Sequence, residues 1–193
     1  QILNQAASND FANGSSVEYD VDQSALDLYS EYLRSHVNTT VSRPDFPTAA
    51  RLLTKFWNRD IDQTEIDGVL SVNPLALQRI LKATGPLQVG DREINDTNAV
   101  NILLSEAYSW FDPRVADAFF ALTAAQVFDK IGSGQFNPKD MLWAITASID
   151  NGDIMFYTED EKTSPLIEGE RISGVLPTEN TEATTVGVFL RDT

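Results

Sequence analysis

The chain has 193 residues, no cysteine and a formal net charge of -15 at pH 7. A chain of this length buries roughly 70% of its unfolded surface, so it can form a substantial core without a cross-link. The absence of cysteine excludes a disulfide scaffold, thiol catalysis and cysteine-ligated zinc. Because nucleic acids and anionic lipids bind basic surfaces, the negative charge argues against both as direct partners.

No stretch predicts a membrane span, since none approaches the roughly 18 to 20 apolar residues that a span requires. The amino-terminal end has neither the basic nor the apolar part of a signal peptide, and it starts at Gln1 rather than Met. We therefore expect residues 1–193 to form a single soluble domain, excised from a longer protein whose anchor or signal would lie upstream.

The first part of the chain predicts two helices. Residues 2–7 predict a strand that leads into a polar loop. Asp22 precedes apolar residues at helical spacing that continue to Leu33, and Asp45 precedes a second set that ends at Trp57. Aspartate is a favoured N-cap residue, so Asp22 and Asp45 predict where these helices begin.

The clearest pattern in the chain begins with an apolar run at residues 69–72, which predicts a strand. Asn73 and Pro74 then supply a cap and a first helical residue. The helix is predicted to end at Gly85, and a second strand is predicted at residues 87–89. This order predicts a βαβ unit, so we expect both strands to lie in one central sheet.

The rest of the chain alternates in the same way. Further elements are predicted at residues 92–94 (strand), 98–111, 113–131 and 138–149 (helices), 154–157 (strand), 166–172 (short helix) and 186–190 (strand). The helix after Asp112-Pro113 is apolar around most of its circumference, which predicts that it is largely buried. Interleaved helices and strands predict an α/β domain, with helices flanking a mixed sheet.

No cluster of residues predicts a catalytic centre. His36 is the single histidine and lies at the end of a predicted helix, where a surface or capping role is more common than catalysis. The acidic loop at residues 60–65 resembles a calcium loop, but Glu65 and Ser71 stand where such a loop needs glycine and glutamate. The residues alone therefore predict no metal site.

Three other features have ordinary structural explanations. The charge run at residues 159–161 is expected to be a solvated loop. Glycosylation sequons begin at Asn13, Asn38 and Asn95, and such matches arise by chance in a chain rich in Asn, Ser and Thr. The tryptophans, which lie beside apolar residues on predicted helices, are expected to pack in the core: Trp57, Trp110 and Trp143.

Four stretches, at residues 45–53, 67–89, 95–131 and 187–192, together resemble a family of membrane-anchored envelope proteins known as domain of unknown function 4012. The resemblance covers nearly the whole chain. It implies an extracytoplasmic protein, often encoded among polysaccharide genes. In that family a membrane helix precedes this region and a β-rich part follows it.

More distantly, the order of elements is similar to that of the LytR–CpsA–Psr phosphotransferases, which move glycan polymers from a polyprenyl pyrophosphate to the cell wall. This resemblance implies a three-layer α/β arrangement, with helices flanking a central mixed β-sheet. It also implies a site in which arginines and an aspartate surround the pyrophosphate and a magnesium ion, because the phosphoryl oxygens carry the charge to be neutralised.

Transferred position by position, most of that site is missing. The family's early Arg-Asp pair falls on Asn9-Asp10, which keeps the aspartate alone. Two arginines of a later helix fall near Leu104 and Glu106. Of the pair that opens the next helix, Arg114 is retained and the second position falls on Asp117. Because Glu106 and Asp117 would repel a pyrophosphate, the comparison favours a protein without this transferase chemistry.

The sequence therefore predicts an extracytoplasmic envelope domain that binds or scaffolds in surface-polysaccharide assembly and needs no cofactor. The expected partner is an envelope glycan or a lipid-linked glycan precursor, with the membrane reached through an anchor outside these residues. The candidate ligand-binding residues are Asp10, Arg43 and Arg114. No catalytic or metal-binding residue is predicted, and the sequence sets no oligomeric state.

Two alternatives remain open. One is an active phosphotransferase, in which Asp10 holds Mg²⁺ while Arg114, with Arg43 or Arg34, contacts phosphate. The other is a structural or adhesive surface module. An arginine-lined cleft beside Asp10 would favour the transferase, whereas a cleft lined by carboxylates would argue against it.

Overall fold

The computed structural model describes residues 2–176 of the chain. Helical residues make up 56% of this part, and its strands are short and pair two by two. The predicted mixture of helices and strands is therefore confirmed, with helix as the dominant component.

The helices are α1 Gln23–Tyr29, α2 Tyr32–Ser35, α3 Phe46–Asp60, α4 Pro74–Thr84, α5 Ala99–Asn101, α6 Ala107–Trp110, α7 Pro113–Gly132, α8 Pro138–Asp150 and α9 Ser164–Ile167. The strands are β1 Gly68–Val72, β2 Leu87–Val89, β3 Arg92–Ile94 and β4 Ile154–Thr158. Short 3-10 turns lie at Ser8–Asp10, Val37–Ser42 and Arg171–Ser173, and a π-helical turn at Ile102–Glu106 joins α5 to α6.

The described residues form two compact units. The first contains residues 2–5 and 71–155, and the second contains residues 6–70 and 156–176. The boundary between the units falls within β1 and again within β4. The single domain expected for residues 1–193 stays a prediction.

In the first unit, α4 is fixed at both ends. Asn73 caps it by accepting hydrogen bonds from two N–H groups of the first turn. Gly85, at φ 76°, ends it as predicted. Beyond that point Lys130 Nζ of α7 donates to the carbonyl oxygens of Thr84 at 3.0 Å and Pro86 at 2.7 Å. Lys130 therefore supplies a donor to the carbonyl group of Thr84, one of the groups that the end of a helix leaves without an intrahelical partner.

The core of this unit joins α4, the strands β2 and β3, and the helices that follow them. β2 and β3 pair antiparallel, with Leu87 opposite Ile94, across a turn in which Gly90 has a φ of 63°. The strands predicted at residues 87–89 and 92–94 are therefore both present and form a hairpin, whose turn uses a glycine where a positive φ is required. The buried apolar cluster consists of Ile80, Leu81, Leu87, Val89, Ile94, Ala99, Ile102, Leu103, Ala107, Phe119 and Val127.

A buried carboxylate connects α4 to α8. Asp153 is 7% exposed and accepts hydrogen bonds from Asn73 Nδ2 at 2.7 Å and from Arg79 Nη1 at 2.5 Å. Arg79 also donates to Ser148 Oγ of α8 at 3.3 Å. Because a buried carboxylate is tolerated only when it is paired, these contacts fix α4 against the end of α8.

The second unit contains α1, α2 and α3. Asp22 and Asp45 cap α1 and α3 as predicted, with carboxylate oxygens that accept from backbone N–H groups of the first turn. The single helix expected through Leu33 is interrupted at Ser30, whose φ of 58° cannot continue an α-helix. The buried apolar cluster consists of Val17, Val21, Ala25, Leu33, Val37, Leu52 and Phe56.

β1 pairs with β4, and the two strands approach unusually closely near Gly68. A β-carbon at Gly68 would lie 2.8 Å from the carbonyl oxygen of Tyr157 and 2.9 Å from the ring of Phe156. One residue earlier, the carbonyl oxygen of Asp67 accepts a 2.6 Å hydrogen bond from Thr158 Oγ1. Glycine is required at position 68 because a side chain there would push β4 away.

Two predictions about strands are wrong. β1 and β2 flank α4 as predicted, but they belong to different two-stranded sheets and do not form a βαβ unit with one central sheet. β2 instead pairs with β3, because closing so short a turn costs little chain entropy. Residues 2–7 form no strand. The strand predicted at residues 186–190 lies outside the described residues.

The burial predicted for α7 is wrong in part. Leu122 and Phe128 of this helix are more than half exposed. An apolar pattern around the whole circumference therefore identified the helix but not the face that its neighbours cover.

We expect Gly68→Ala to destabilise the protein by about 1–3 kcal/mol, because the carbonyl oxygen of Tyr157 can move away only if β4 shifts. The matched control is Gly132→Ala at the end of α7, where an added β-carbon meets no atom within 4 Å. That variant should be neutral or up to about 1 kcal/mol more stable. Urea unfolding curves of both variants would measure this difference, and equal effects would contradict the close approach.

Arg79→Ala should cost about 3 kcal/mol, because it leaves the buried carboxylate of Asp153 without its cation. Lys139→Ala is the control, since it removes a cation from an exposed position of α8 and should change stability by less than about 0.5 kcal/mol. Denaturant midpoints followed by tryptophan fluorescence test both values. A loss from Arg79→Ala as small as that of the control would show that the pair contributes little.

Candidate functional site

The second unit contains a cleft of about 610 Å³. Three parts of the chain form most of its wall, namely the segment before α1, one side of α3, and the facing ends of β1 and β4. The lining residues are Glu18, Tyr19, Asp20, Arg51, Thr54, Lys55, Ile66, Asp67, Gly68, Val69, Tyr157, Thr158 and Glu159. The volume lies within the range of roughly 300–1,000 Å³ that small-molecule sites occupy.

Three side chains at one wall of the cleft bind one another. Arg51 Nε donates to the hydroxyl oxygen of Tyr157 at 2.6 Å, and this hydroxyl donates to Glu159 Oε1 at 2.6 Å. The guanidinium of Arg51 also lies 3.4 Å from the carboxylate of Glu159 and 5.0 Å from the centre of the Tyr157 ring. A longer contact of 3.4 Å joins Arg51 Nη1 to the hydroxyl of Tyr19. We call Arg51, Tyr157 and Glu159 the cleft triad.

The contacts within the cleft triad set the protonation of its members. Burial and the hydrogen bond to Glu159 raise the pKa of Tyr157 to about 12. The hydrogen bond from Tyr157 lowers the pKa of Glu159, and Arg51 lowers it further. Burial acts to lower the pKa of Arg51, but hydrogen bonds to Tyr19 and Tyr157 outweigh burial and raise it. At neutral pH the triad is therefore a guanidinium, a neutral phenol and a carboxylate.

The close approach at Gly68 positions the triad. β4 can lie against β1 because Gly68 has no side chain, and Tyr157 and Glu159 lie at the end of β4 that borders the cleft. Arg51 comes from the middle of α3, a helix whose start Asp45 fixes. Arg51 of α3 and Tyr157 of β4, which are 106 residues apart in the chain, are thus in contact at the cleft.

The rest of the cleft is rich in acidic groups. Glu18, Asp20 and Asp67 are exposed and line it together with Lys55. Thr54 adds a hydroxyl group from α3. The wall therefore offers more hydrogen-bond acceptors than cationic donors.

A second recess of about 460 Å³ shares Glu18 and Lys55 with the cleft and is also lined by Ser16, Val17 and Arg59. The guanidinium of Arg59 is engaged by the protein itself. It donates to the carbonyl oxygens of Ser15 at 2.5 Å and Ala12 at 2.6 Å, and it pairs with Asp60. The hydrogen bond to Asp60 raises the pKa of Arg59. Arg59 thus binds the backbone of the loop at residues 12–15, and its guanidinium is not available to a ligand.

The three residues predicted from the resemblance lie outside the lining of the cleft. Asp10 accepts a hydrogen bond from the N–H of Ala7 at 2.8 Å within a 3-10 turn. Arg43 pairs with Asp22 at 2.6 Å, and hydrogen bonds from Ser24 and from Arg43 lower the pKa of Asp22. Arg114 belongs to the first unit, in the first turn of α7. Asp10 and Arg43 share the second unit, but each is engaged by a different local partner.

The other residues singled out from the sequence are placed as follows. His36 lies beside Ser35 and the ring of Tyr32. Trp110 packs against the core of the first unit, whereas Trp143, predicted to be buried, is half exposed beside Lys82. Glu159, expected in a purely solvated loop, is a member of the cleft triad.

Residues 2–176 lack two kinds of feature, a cluster of metal ligands and a membrane-spanning helix. No group of three or more His, Cys, Asp or Glu side chains in this part of the chain is arranged to hold a metal ion. No helix in the same residues is long and apolar enough to cross a membrane.

The described structure is that of a predominantly helical, mixed α/β protein with a polar, carboxylate-rich cleft. The family described as Protein of unknown function (DUF4012) matches residues 1–108 of the 193, and the chain belongs to this family. The resemblance to this family was expected to extend to residue 192, but the family match ends at residue 108. No curated protein and no solved structure matches the chain significantly.

The triad predicts a pH-dependent contribution to stability from Glu159. Because the pKa of Glu159 is lowered in the folded state, its contribution is present above the unfolded value near 4.5 and is lost as the pH falls through the folded value. The carboxylate is 75% exposed, so the wild type should exceed Glu159→Gln by less than about 1 kcal/mol at pH 7. Thermal melts across acidic pH should show this gap closing.

Glu161→Gln is the matched control, since it removes a carboxylate from an exposed position of the same loop. The gap between the wild type and this variant should stay small and nearly constant with pH. A pH-independent gap for Glu159→Gln would contradict the contact between Glu159 and the other two triad members.

Proposed function

We propose that this chain is a non-catalytic glycan-binding domain, and that the cleft beside the triad is its binding site. The observation that carries the proposal is the arrangement of fixed donors and acceptors along one wall, supplied by Arg51, Tyr157 and Glu159. Each hydroxyl group of a sugar both donates and accepts a hydrogen bond. A wall that presents guanidinium, phenol and carboxylate groups together matches this chemistry.

The shape and rigidity of the cleft also favour a sugar. Tyr19 and Tyr157 present aromatic rings with polar tips, which suit a ligand that has both C–H faces and hydroxyl edges. Arg51 and Tyr157 are already held by hydrogen bonds without any ligand. Because these side chains are ordered in advance, less conformational entropy is lost on binding.

The biological setting that we propose follows from the family resemblance. The domain would lie outside the cytoplasm, on an envelope protein that is anchored upstream, and would bind or scaffold an envelope glycan or a lipid-linked glycan precursor during surface-polysaccharide assembly. The three-layer LytR–CpsA–Psr-like arrangement is also a proposal, and it would require strands beyond those of residues 2–176.

The phosphotransferase alternative receives less support from the cleft. A pyrophosphate needs several cations that are free to bind it. The cleft has Arg51 and Lys55, but Arg51 is paired with Glu159, and three further carboxylates line the same walls. A structural or adhesive module is the remaining alternative, and it predicts no binding of a small saccharide in the cleft.

The test is calorimetric titration of the protein with the uncharged N-acetylglucosamine tetramer. We expect saturable binding, weakened roughly tenfold by Tyr157→Phe because that change removes one hydroxyl and leaves Arg51 and Glu159 without their shared partner. Tyr108→Phe is the control, since it removes the hydroxyl of an exposed tyrosine in the first unit and should leave binding unchanged.

Absence of binding by this tetramer and by other neutral oligosaccharides would overturn the proposal in favour of the structural module. A polyprenyl-pyrophosphate analogue supplied with Mg²⁺ is expected to show neither binding nor turnover. If it binds or turns over instead, the phosphotransferase is the better description.

A further inference from the structure

The charges that line the cleft are unequal. Among residues 2–176, its walls carry four carboxylates, those of Glu18, Asp20, Asp67 and Glu159, against the two cations Arg51 and Lys55. A ligand that enters the cleft therefore meets an excess of negative charge.

The pairing within the triad leaves the negative charge of the cleft on the carboxylates outside the triad. Glu159 lies 3.4 Å from Arg51 and accepts the hydrogen bond of Tyr157, so Arg51 and Glu159 largely neutralise each other. Lys55 also acts on Glu159, whose pKa it helps to lower. The three remaining carboxylates that line the cleft are those of Glu18, Asp20 and Asp67. These three side chains are exposed to solvent.

From this balance we infer that the cleft selects a cationic saccharide, an amino sugar with a free ammonium group, over its N-acetylated counterpart. The inference rests on the proposed function and narrows its ligand class. An ammonium group supplies a charge and three donors to a wall that has an excess of carboxylate acceptors. Acetylation removes the charge and two of the donors, and it leaves the carboxylates solvated as before.

Anionic saccharides are disfavoured by the same balance. A uronic acid or a phosphorylated sugar would have to approach the carboxylates of Glu18, Asp20 and Asp67, which lie outside the triad. The cleft thus distinguishes three classes of glycan, with cationic ligands favoured, neutral ligands intermediate and anionic ligands rejected.

The experiment compares the glucosamine tetramer with the N-acetylglucosamine tetramer by calorimetric titration of the full chain. It is done at mildly acidic pH, where the amino groups are protonated and the carboxylates are ionised. We expect the glucosamine tetramer to bind roughly five- to tenfold more tightly. The preference should shrink when the salt concentration is raised to about 0.5 M, because salt screens exposed charges.

The decisive variant is the double substitution Asp20→Asn with Asp67→Asn, which keeps the shape of both side chains and removes two charges from the cleft. It should bring the affinity ratio of the two tetramers close to one. Asp129→Asn with Asp150→Asn is the control, because it removes two charges from exposed positions of the first unit. This control should leave the ratio unchanged, although the net charge of the chain changes equally.

The outcomes separate the inference from the function on which it rests. Equal affinities of the wild type for the two tetramers would overturn the inference and leave the proposed function standing. An equal loss of preference in the two double variants would also overturn it, because the net charge of -15 would then account for the preference. If neither tetramer binds, the proposed function itself fails.

Discussion

The contact on which the cleft depends is the close approach of β1 and β4 at Gly68. With no side chain at that position, the carbonyl oxygen of Tyr157 can lie 2.8 Å from the place where a β-carbon would be, which is too close for any other residue. The approach fixes the end of β4, and with it the Tyr157 hydroxyl that binds Arg51 and Glu159. A backbone constraint of this kind is more restrictive than a side-chain contact, because the carbonyl group cannot rotate away without moving the strand. The site is therefore positioned by packing of the main chain, and the polar side chains complete it.

Elements whose signals are local in sequence could be predicted well. Asn73, Asp112 and Asn137 each precede a proline and each caps a helix in the structure, because the cap and the first turn lie within a few residues of one another. Pairing between distant strands could not be predicted in this way. The apolar runs of β1 and β2 are alike, and nothing in either run specifies that β1 pairs with β4, whereas β2 pairs with the next strand along the chain.

The candidate site could not be predicted from the sequence for the same reason, because its residues are distant in the chain. Arg51 is an ordinary helix residue in sequence, and Tyr157 lies next to the last residue of a short strand, 106 residues later, so no spacing rule connects them. The resemblance directed attention to Asp10, Arg43 and Arg114, and the first two serve local contacts in the second unit. Arg51 falls within the part of the chain that matches the family, whereas Tyr157 and Glu159 lie beyond it. The sequence shows that the loop after β4 is charged, but the proximity of this loop to α3 depends on the tertiary fold.

The fixing of α4 at both ends has a consequence for the order in which the chain can acquire structure during its synthesis. Its cap residue Asn73 is anchored by Asp153, and the carbonyl oxygen of its last residue, Thr84, accepts a hydrogen bond from Lys130. Both partners follow α4 in the chain, so they are translated after it. A helix of 11 residues is marginal in water by itself, so α4 becomes fully stable only when Lys130 and Asp153 have been added. A ribosome that stalls between residues 90 and 130 would therefore hold a nascent chain in which this helix is still only partly formed.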